Sequence, residues 1–340
     1  MRPYDALLVV SFGGPEGPAD VMPFLEIVTA GRGVPRERLE QVAEHYRGLG
    51  GVSPINGQNR ALIAALKQDF AANGLDLPIY WGNRNWHPML PETLAQMRDD
   101  GVTNAIAFLT SAYASFSSCR QYLDAIERAR TEVGEGAPHV DRLRQYFNHP
   151  GFVEPMADGV RAALAKLPED LAAQAHLAFV AHSIPIAMEV ASGPNGHTYT
   201  TQLVEATRLV TEAVGPMRES SLSYCSRSGS PSMPWLEPDI GDWLDELTAA
   251  GTKAVVVVPI GFVSDHMEVV YDLDTEAAKR ADELGLAFVR SSTVGTDPRF
   301  VAMVRELVLE RMGEHERRTC GELPAAHDVC PIGCCRMPSH

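Results

Sequence analysis

Short apolar runs alternate with longer amphipathic stretches along most of the chain. The runs predict eight strands, at 6–10, 79–82, 105–109, 142–147, 177–181, 222–225, 254–259 and 287–291. The stretches between them predict helices, including 58–72, 198–214, 240–250 and 298–311. Strands that alternate with helices in this way are typical of parallel sheets with both faces covered. The pattern therefore predicts an α/β fold.

The two halves of the chain repeat one pattern. The segment "ALLVVSFGGP" opens the first half and "LAFVAHSIP" the second, each an apolar strand ending in a small polar residue and a proline-containing turn. The repeat predicts two similar Rossmann-like, doubly wound domains with parallel four-stranded sheets, at 1–148 and 149–312, and a cysteine-rich tail at 313–340. Such folds bind ligands beyond the carboxyl ends of their strands, so the residues just after each strand are the candidate site residues.

Composition and charge exclude several classes of function. The chain has 340 residues, of which 45% are hydrophobic, enough to fill two cores. Its formal net charge of −15 argues against contacts with a phosphate backbone or an anionic membrane. The first apolar run is too short for a signal peptide or a membrane-spanning helix. We therefore expect a cytoplasmic protein that has no integral membrane segment and does not bind nucleic acid.

An acidic stripe follows the apolar run "AVVVVPIGF". With Ser264 as N-cap, a helix would align four acidic residues on one face beside His266. These residues step by three, four and four positions: Asp265, Glu268, Asp272 and Glu276. Such a stripe is either a solvated face or a cation site. Its position directly after a strand favours a site that holds a labile divalent cation and passes it along.

His182 ends the predicted strand "LAFVA". A single histidine is either a hydrogen-bonded structural residue or a catalyst, and the carboxyl end of a parallel strand favours a catalyst. The neighbouring Ser183 suggests a hydrolase, but the chain has no G-x-S-x-G elbow, and adjacent residues of an extended chain point apart. The glycines of "SFGGPEGP" match neither a dinucleotide fingerprint nor a P-loop, and favour a tight turn that approaches a flat ligand closely.

Hydroxyl and guanidinium groups collect in three glycine- or serine-rich loops. They are either parts of ordinary loops and a capped helix start, or a polar rim that holds carboxylates. The residues are Arg32, Tyr46, Arg47, Ser53, Ser111 and Tyr113.

Six segments resemble, in order and spacing, the motifs of ferrochelatase, which inserts ferrous iron into a porphyrin. They are "SFGGPE", "HYRGLGGVSPI", "GNRNWHP", "FVAHSIP", "YCSRSGSPSMPWLEP" and "PIGFVSDHMEVVYDLD", and the resemblance covers about residues 4 to 312. It implies two Rossmann-like domains that face each other across a porphyrin cleft. It also implies that His182 and Glu268 handle the two pyrrole protons and the incoming iron. The other implied site residues are Asp265, His266, Asp272 and Glu276 for metal passage, and Trp235 as a pocket wall.

The chemistry of metal insertion agrees with this resemblance. Iron enters a porphyrin through a distorted ring, with a base for two N–H protons and a ligand that strips water from the ion. His182 and the acidic stripe supply the base and the ligand, and a rigid cleft lined by Phe12 and Trp235 would favour the distorted ring.

The substrate is predicted from the branch of the family. The chain resembles the cytosolic bacterial branch that converts coproporphyrin III to coproheme, because it lacks an apolar anchor and carries the polar set above. It has Phe12 where some members of that branch have an iron-binding tyrosine. The alternatives are a protoporphyrin IX ferrochelatase, a cobalt chelatase of corrin synthesis, and a non-catalytic carrier of a tetrapyrrole or metal. The resemblance also suggests a transient partner for iron delivery or product transfer.

The cysteines point to a resident metal. Four of the six lie after position 319: Cys320, Cys330, Cys334 and Cys335. In a cytosolic chain this clustering favours metal binding over disulfides. Some ferrochelatases that resemble this chain carry a [2Fe–2S] cluster, and the resemblance implies Cys119, Cys320, Cys330 and Cys335 as ligands, with Cys334 as a spare or substitute. Zinc is the alternative. Cys225 is predicted to be a core residue.

Overall fold

The computed structural model describes residues 3–31, 33–215, 217–228 and 232–337. Contacts divide the chain into two compact units. The first unit comprises Met1–Thr110, Tyr122–Arg142 and Ser264–Met267. The second comprises Ser111–Gln121, Leu143–Val263 and Glu268–His340.

The first unit is built on a four-stranded parallel sheet. Its strands are β1 (Ala6–Ser11), β2 (Ile79–Asn83), β3 (Asn104–Leu109) and β4 (His139–Arg142), in the order β2-β1-β3-β4. After a 3-10 turn at Pro18–Asp20, its helices are α1 (Val21–Val28), α2 (Arg36–Gly48), α3 (Pro54–Ala72), α4 (Leu90–Asp99) and α5 (Gln121–Val133). A π-helical turn at Phe116–Arg120 precedes α5.

The second unit repeats this architecture. Its strands are β5 (His176–His182), β6 (Ser220–Cys225), β7 (Ala254–Val258) and β8 (Ala287–Arg290), all parallel and in the order β6-β5-β7-β8. Its helices are α6 (Pro150–Leu164), α7 (Glu169–Gln174), α8 (Ile186–Val190), α9 (Thr198–Val214), α10 (Ile240–Ala249), α11 (Met267–Val269), α12 (Ala278–Glu283) and α13 (Pro298–Met312). The predicted pair of parallel α/β sheets is confirmed.

The burial of the central strands explains why apolar runs in the sequence predicted their positions. Every residue of β1 and of β7 is buried, as expected for parallel strands covered by helices on both faces. The prediction for β4 was wrong, because this strand spans His139–Arg142 rather than 142–147. The run that follows is buried but non-strand, since β3 pairs with β4 only as far as Arg142.

The helix after β7 differs from the prediction. It begins at Met267 rather than after Ser264, so Asp265 and His266 precede it, and it is π-helical over Val270–Ala277 before α12. Its buried residues step by four positions: Val269, Leu273, Ala277 and Ala281. The acidic residues from Glu268 onwards keep the same step of four, each one position before a buried residue. This π-helical segment lies directly beside candidate site residues, where such segments are frequent.

Membrane insertion by a helix finds no support in the part of the chain that the structure describes. None of the described helices combines the length and the apolar composition needed to cross a bilayer.

Candidate active site and tail metal centre

His182 is the last residue of β5, the strand from which the second sheet extends in both directions. β5 pairs with β6 on one side and with β7 on the other, so its carboxyl end is the switch point where α/β sheets bind ligands. The Tyr199 hydroxyl donates to the His182 carbonyl at 2.9 Å, and the Ser183 amide donates to the Cys225 carbonyl at 2.8 Å. These bonds fix the backbone that carries the imidazole.

One hydrogen bond determines which ring nitrogen of His182 is available. Nδ1 lies 2.5 Å from the Ser183 carbonyl oxygen, and because a carbonyl only accepts, Nδ1 carries the hydrogen. In the neutral ring the lone pair is then on Nε2, which lies 3.7 Å from a carboxylate oxygen of Glu268. The two side chains are 37% and 50% exposed, so a ligand can reach them. The pair offers a base and a carboxylate side by side.

Asp272 is the next residue of the acidic stripe, four positions after Glu268. The hydroxyl of Ser226, the residue after β6, donates to its carboxylate. Burial raises the pKa of Asp272 to about 6; the charges of Glu268 and Glu276 act in the same direction, and the Ser226 bond opposes them. Asp272 can therefore take up and release a proton near neutral pH.

Trp235 lies beside the segment that leaves His182. It pairs through its backbone with Pro185, and the Ser183 hydroxyl donates to the Leu236 carbonyl at 2.8 Å. Its indole Nε1 is buried and has no hydrogen-bond partner among the described residues. The side chain is largely buried, at 9% exposure.

The end of β1 in the first unit carries aromatic rather than titratable groups. Phe12 packs edge-on against Phe24 at 6.2 Å between ring centroids, and Phe24 contacts Tyr46 and Trp86, each at 6.1 Å. Met267 belongs to the same cluster. This group can offer an apolar surface to a flat ligand.

Gly14 follows Phe12 and has a packing role. A Cβ at Gly14 would lie 2.6 Å from the Cβ of Ser53, so only glycine fits. The backbone of "SFGGP" therefore packs closely against Ser53 of the same chain. Ser53 precedes α3 as its N-cap residue, but its side chain makes no capping hydrogen bond.

The predicted carboxylate-binding residues do not gather into one group. Arg32 lies outside the described residues. Tyr46 is 7% exposed within the aromatic cluster, and Arg47 pairs with Glu44 at 2.6 Å and Glu40 at 3.6 Å. In the first unit, Arg47 is thus engaged with acidic neighbours and Tyr46 is largely buried.

Ser111 and Tyr113 belong to the second unit. Ser111 is partly exposed, whereas Tyr113 is 1% exposed and its hydroxyl donates to the Ile260 carbonyl at 2.9 Å. A buried hydroxyl with a partner has little to offer a propionate. Tyr113 therefore has a structural role in this structure, contrary to its predicted place in a polar rim.

Asp265 is held by Gln58 within the first unit. Its amide donates to the Gln58 side-chain oxygen at 2.8 Å, and the Gln58 amide nitrogen donates to its carboxylate at 3.3 Å. His266, next to it, is partly exposed. Of the predicted passage residues, only Asp272 and Glu276 continue the helical stripe from Glu268.

The tail brings together sulfur atoms that are distant in sequence. Cys335 Sγ lies 3.9 Å from Cys119 Sγ and 3.7 Å from Cys334 Sγ, and the Cys334 thiol hydrogen-bonds to Cys330. Cys320, part of the predicted ligand set, makes no sulfur contact with these residues among those described. Its amide instead donates to the Asn148 carbonyl at 2.7 Å.

Cys335 is prepared as a metal ligand. The Gly193 amide donates to its sulfur at 3.1 Å, and its own amide donates to the Gly193 carbonyl at 3.3 Å. Hydrogen bonds from Cys119, Cys334 and the Gly193 amide hold the pKa of Cys335 well below its usual range. Thiolate is the form that binds metals, so the thiols present fit an iron–sulfur cluster or zinc. We refer to Cys119, Cys330, Cys334 and Cys335 as the tail thiols.

Sequence reasoning missed three residues of these sites. Ser226 directly follows a strand, so the rule that identified His182 could have found it. Tyr199 acts through its contact with the His182 backbone, which no local pattern reveals. His327 Nε2 lies 3.9 Å from Cys334 Sγ, and a search for H-x2-C spacing among the tail cysteines could have included it.

Comparisons with known proteins identify the family of this chain. The ferrochelatase family model matches residues 4–312. The coproporphyrin III ferrochelatase of Streptomyces coelicolor is 57% identical and covers 98% of this chain and 93% of its own length. That of Nocardia farcinica is 53% identical and covers 97% and 96%. SirB from Bacillus subtilis, solved with Fe³⁺, covers 92% of this chain and 98% of its own with a TM-score of 0.53 and 13% identity, a likeness of fold alone. The chain therefore belongs to the ferrochelatase family of metal chelatases, as its motifs predicted.

Proposed function

We propose that this enzyme inserts ferrous iron into coproporphyrin III to give coproheme. The observation that carries the proposal is the pair formed by His182 Nε2 and Glu268 at 3.7 Å, with the histidine tautomer fixed by Ser183. The substrate is proposed because relatives more than half identical over nearly their full length are coproporphyrin III ferrochelatases.

The proton chemistry follows from this geometry. Insertion breaks two pyrrole N–H bonds and binds one Fe²⁺, so two protons leave the ring. His182 Nε2, the free base of the pair, accepts the two protons in succession and passes each one on before it takes the next. Asp272, with a pKa of about 6, can accept the proton in turn and release it to solvent along the stripe.

The carboxylates also suit the incoming metal. Glu268 is half exposed and adjacent to the base, so it can replace water on ferrous iron close to where the protons leave. Asp272 and Glu276 extend this negative surface along the π-helical segment, and Asp265 and His266 precede it. We propose these residues as the route of iron entry, proton exit, or both.

Ring binding divides between apolar and polar groups. Phe12 and Trp235 are the proposed contacts with the macrocycle. Arg32, Arg47, Ser53 and Ser111 remain the proposed contacts with propionates, and Arg47 would have to exchange its acidic neighbours for a substrate carboxylate. We leave Tyr46 and Tyr113 out of this set because both are buried.

The tail thiols are proposed to supply the cysteine ligands of a [2Fe–2S] cluster. When bound, such a cluster supplies one-electron chemistry and ties the tail to the turn that carries Cys119. The grouping of sulfurs supports Cys334 rather than Cys320 as a candidate ligand. A cytoplasmic location and a transient partner for iron delivery or product transfer complete the proposal.

The test is anaerobic metallation by the purified full-length protein. Ferrous iron is offered with coproporphyrin III and, in parallel, with protoporphyrin IX, and metalloporphyrin is measured by absorption. We expect a strong preference for coproporphyrin and a loss of at least about 10²-fold in the turnover of His182→Ala. A preference for protoporphyrin would overturn the proposed substrate but leave the chemistry in place, whereas full turnover by His182→Ala would overturn the site.

A further inference from the structure

We propose that His327 is a ligand of the metal group held by the tail, which makes this centre a mixed cysteine–histidine site. The inference rests on the proposed [2Fe–2S] cluster, but not on the proposed porphyrin substrate. His327 was no part of the ligand set predicted from the sequence.

The first support is the number and position of the donor atoms. His327, Cys330 and Cys334 each place one ligand atom within 4.8 Å of the others. Cys334 Sγ is in turn 3.7 Å from Cys335 Sγ, which is 3.9 Å from Cys119 Sγ. Five donors therefore converge where a [2Fe–2S] cluster takes four protein ligands.

The second support is that the chain on both sides of His327 is anchored. Arg317 donates to the Ala326 carbonyl at 3.4 Å and forms an ion pair with Asp328, so one side chain holds both neighbours of the histidine. Arg317 itself lies 3.6 Å from Glu310 at the end of α13. These contacts restrict the backbone at His327 and so hold its imidazole near Cys334.

The tail is also fixed upstream of His327. The Asn148 side chain donates to the Leu323 carbonyl at 2.8 Å, and the Glu322 amide donates to Glu205 at 3.1 Å. Gly321 lies so close to Glu205 that a Cβ there would come within 2.1 Å of its carboxylate oxygen. These contacts hold the tail along a path that brings the imidazole to the thiols.

The assignment has a chemical consequence. The sulfur atoms of Cys119 and Cys335 lie 3.9 Å apart, so we assign these two cysteines as ligands. His327 then takes one of the two remaining positions, and either Cys330 or Cys334 stays a thiol. Imidazole in place of thiolate makes the cluster less negative and raises its reduction potential.

The direct test is pulsed EPR of the full-length protein reduced with dithionite. The protein is produced with histidine labelled with ¹⁵N at Nε2 only, so the Gly193 amide near Cys335 contributes no ¹⁵N signal. We expect a strong ¹⁵N coupling that His327→Ala abolishes and that the matched variant His315→Ala retains. His315 is exposed in the same tail and contacts only the Glu316 carbonyl among the described hydrogen bonds. A reduced cluster without ¹⁵N coupling would overturn the inference.

A serine scan of the tail thiols gives an independent readout. Iron and sulfide per chain and visible absorption are measured for Cys119→Ser, Cys330→Ser, Cys334→Ser and Cys335→Ser. We expect Cys119→Ser and Cys335→Ser to lose the cluster, and one of the other two to keep it. Loss in all four variants would mean ligation by four thiolates and would refute a histidine ligand.

The two proposals fail in different ways. A wild-type protein without iron–sulfide absorption would remove the cluster and this inference together, whatever its metallation activity. A protein with the cluster and the ¹⁵N coupling that does not metallate porphyrin would overturn the proposed function alone.

Discussion

The two units share one strand order, yet their corresponding strand ends carry different chemistry. β1 and β5 are the first strands of sheets ordered β2-β1-β3-β4 and β6-β5-β7-β8. β1 ends in the buried Ser11 and leads into the aromatic cluster of Phe12, whereas β5 ends in the partly exposed His182. The same scaffold thus presents an apolar surface in one unit and a proton acceptor in the other, because function depends on the side chains placed at the switch point rather than on the fold.

The residues that follow the strands also differ between the two units. In the second unit the hydroxyl of Ser226, the residue after β6, donates to the Asp272 carboxylate on the π-helical segment. The end of β6 therefore contributes to the surroundings of a titratable group. In the first unit Phe12 follows β1, and the next two residues are glycines: an added Cβ would clash with Asn83 at Gly13 and with Ser53 at Gly14. The predictions below test whether the chemistry is confined to the second unit.

The largest effect is expected for His182→Ala. Removal of the proposed base at the end of β5 should lower the metallation rate by about 10²–10⁴-fold, the usual contribution of a general base. Porphyrin binding, measured by fluorescence quenching, should change little. His139→Ala, at the exposed start of β4 in the first unit, is the matched control and should keep its rate. Equal losses in the two variants would contradict a single catalytic switch point.

Glu268→Gln is expected to come next. The amide keeps the size of the side chain but removes the negative charge 3.7 Å from His182, so the rate should fall by at least about tenfold. The control is Asp282→Asn, an exposed acid on α12 farther along the same helix. A rate unchanged by Glu268→Gln, with binding intact, would remove this carboxylate from the mechanism.

Asp272→Asn should change the dependence of stability on pH. The folded-state pKa of Asp272, about 6, is raised above its ordinary value of 3.8, so between these pH values the folded state binds more protons than the unfolded state. Stability due to this group is therefore lost as pH rises through that window, and the full penalty applies above about pH 6. Urea unfolding should show that Asp272→Asn gains roughly 1–3 kcal/mol relative to wild type between pH 4 and pH 7. A constant difference across this range would contradict the shift.

The smallest effect on metallation is expected at the tail. Cys335→Ser should abolish the visible absorption of the cluster, because Cys335 contacts Cys119 and Cys334. Cys320→Ser should leave the absorption unchanged, because Cys320 has no sulfur contact with the tail thiols among the described residues. Both variants retain His182 and Glu268, so we expect their metallation rates to stay within a few-fold of wild type. Loss of the absorption in Cys320→Ser would restore the ligand set predicted from the sequence.

Local patterns predicted most of the fold. Seven strands lie where their apolar runs indicated, and in β1 and β7 burial on both faces explains the continuous apolar sequence. β4 was misplaced because a buried run after a short edge strand has the same composition as a strand, and only pairing distinguishes them. The start of the helix after β7 was misplaced because Ser264 has the sequence features of an N-cap, whereas Asp265 is held by Gln58 instead.

The site was predictable to the extent that it follows from strand ends. His182 was found in this way, and Glu268 was implied by the motif. The contact of Ser226 with Asp272 joins residues 46 positions apart, and the proximity of Cys119 to Cys335 spans 216 positions, so neither has a local signature. His327 was missed for the same reason, since its place beside the tail thiols depends on anchors such as Arg317.

The contact between Cys119 and Cys335 has a topological consequence. Once a metal group joins these sulfurs, the 216-position separation between them becomes a closed ring that contains the whole of β5 to α13. Closing a loop of that length can stabilise a folded chain by up to about 5 kcal/mol through the entropy of the unfolded state. A single proteolytic cut inside this ring would leave both pieces attached to each other until the metal is removed.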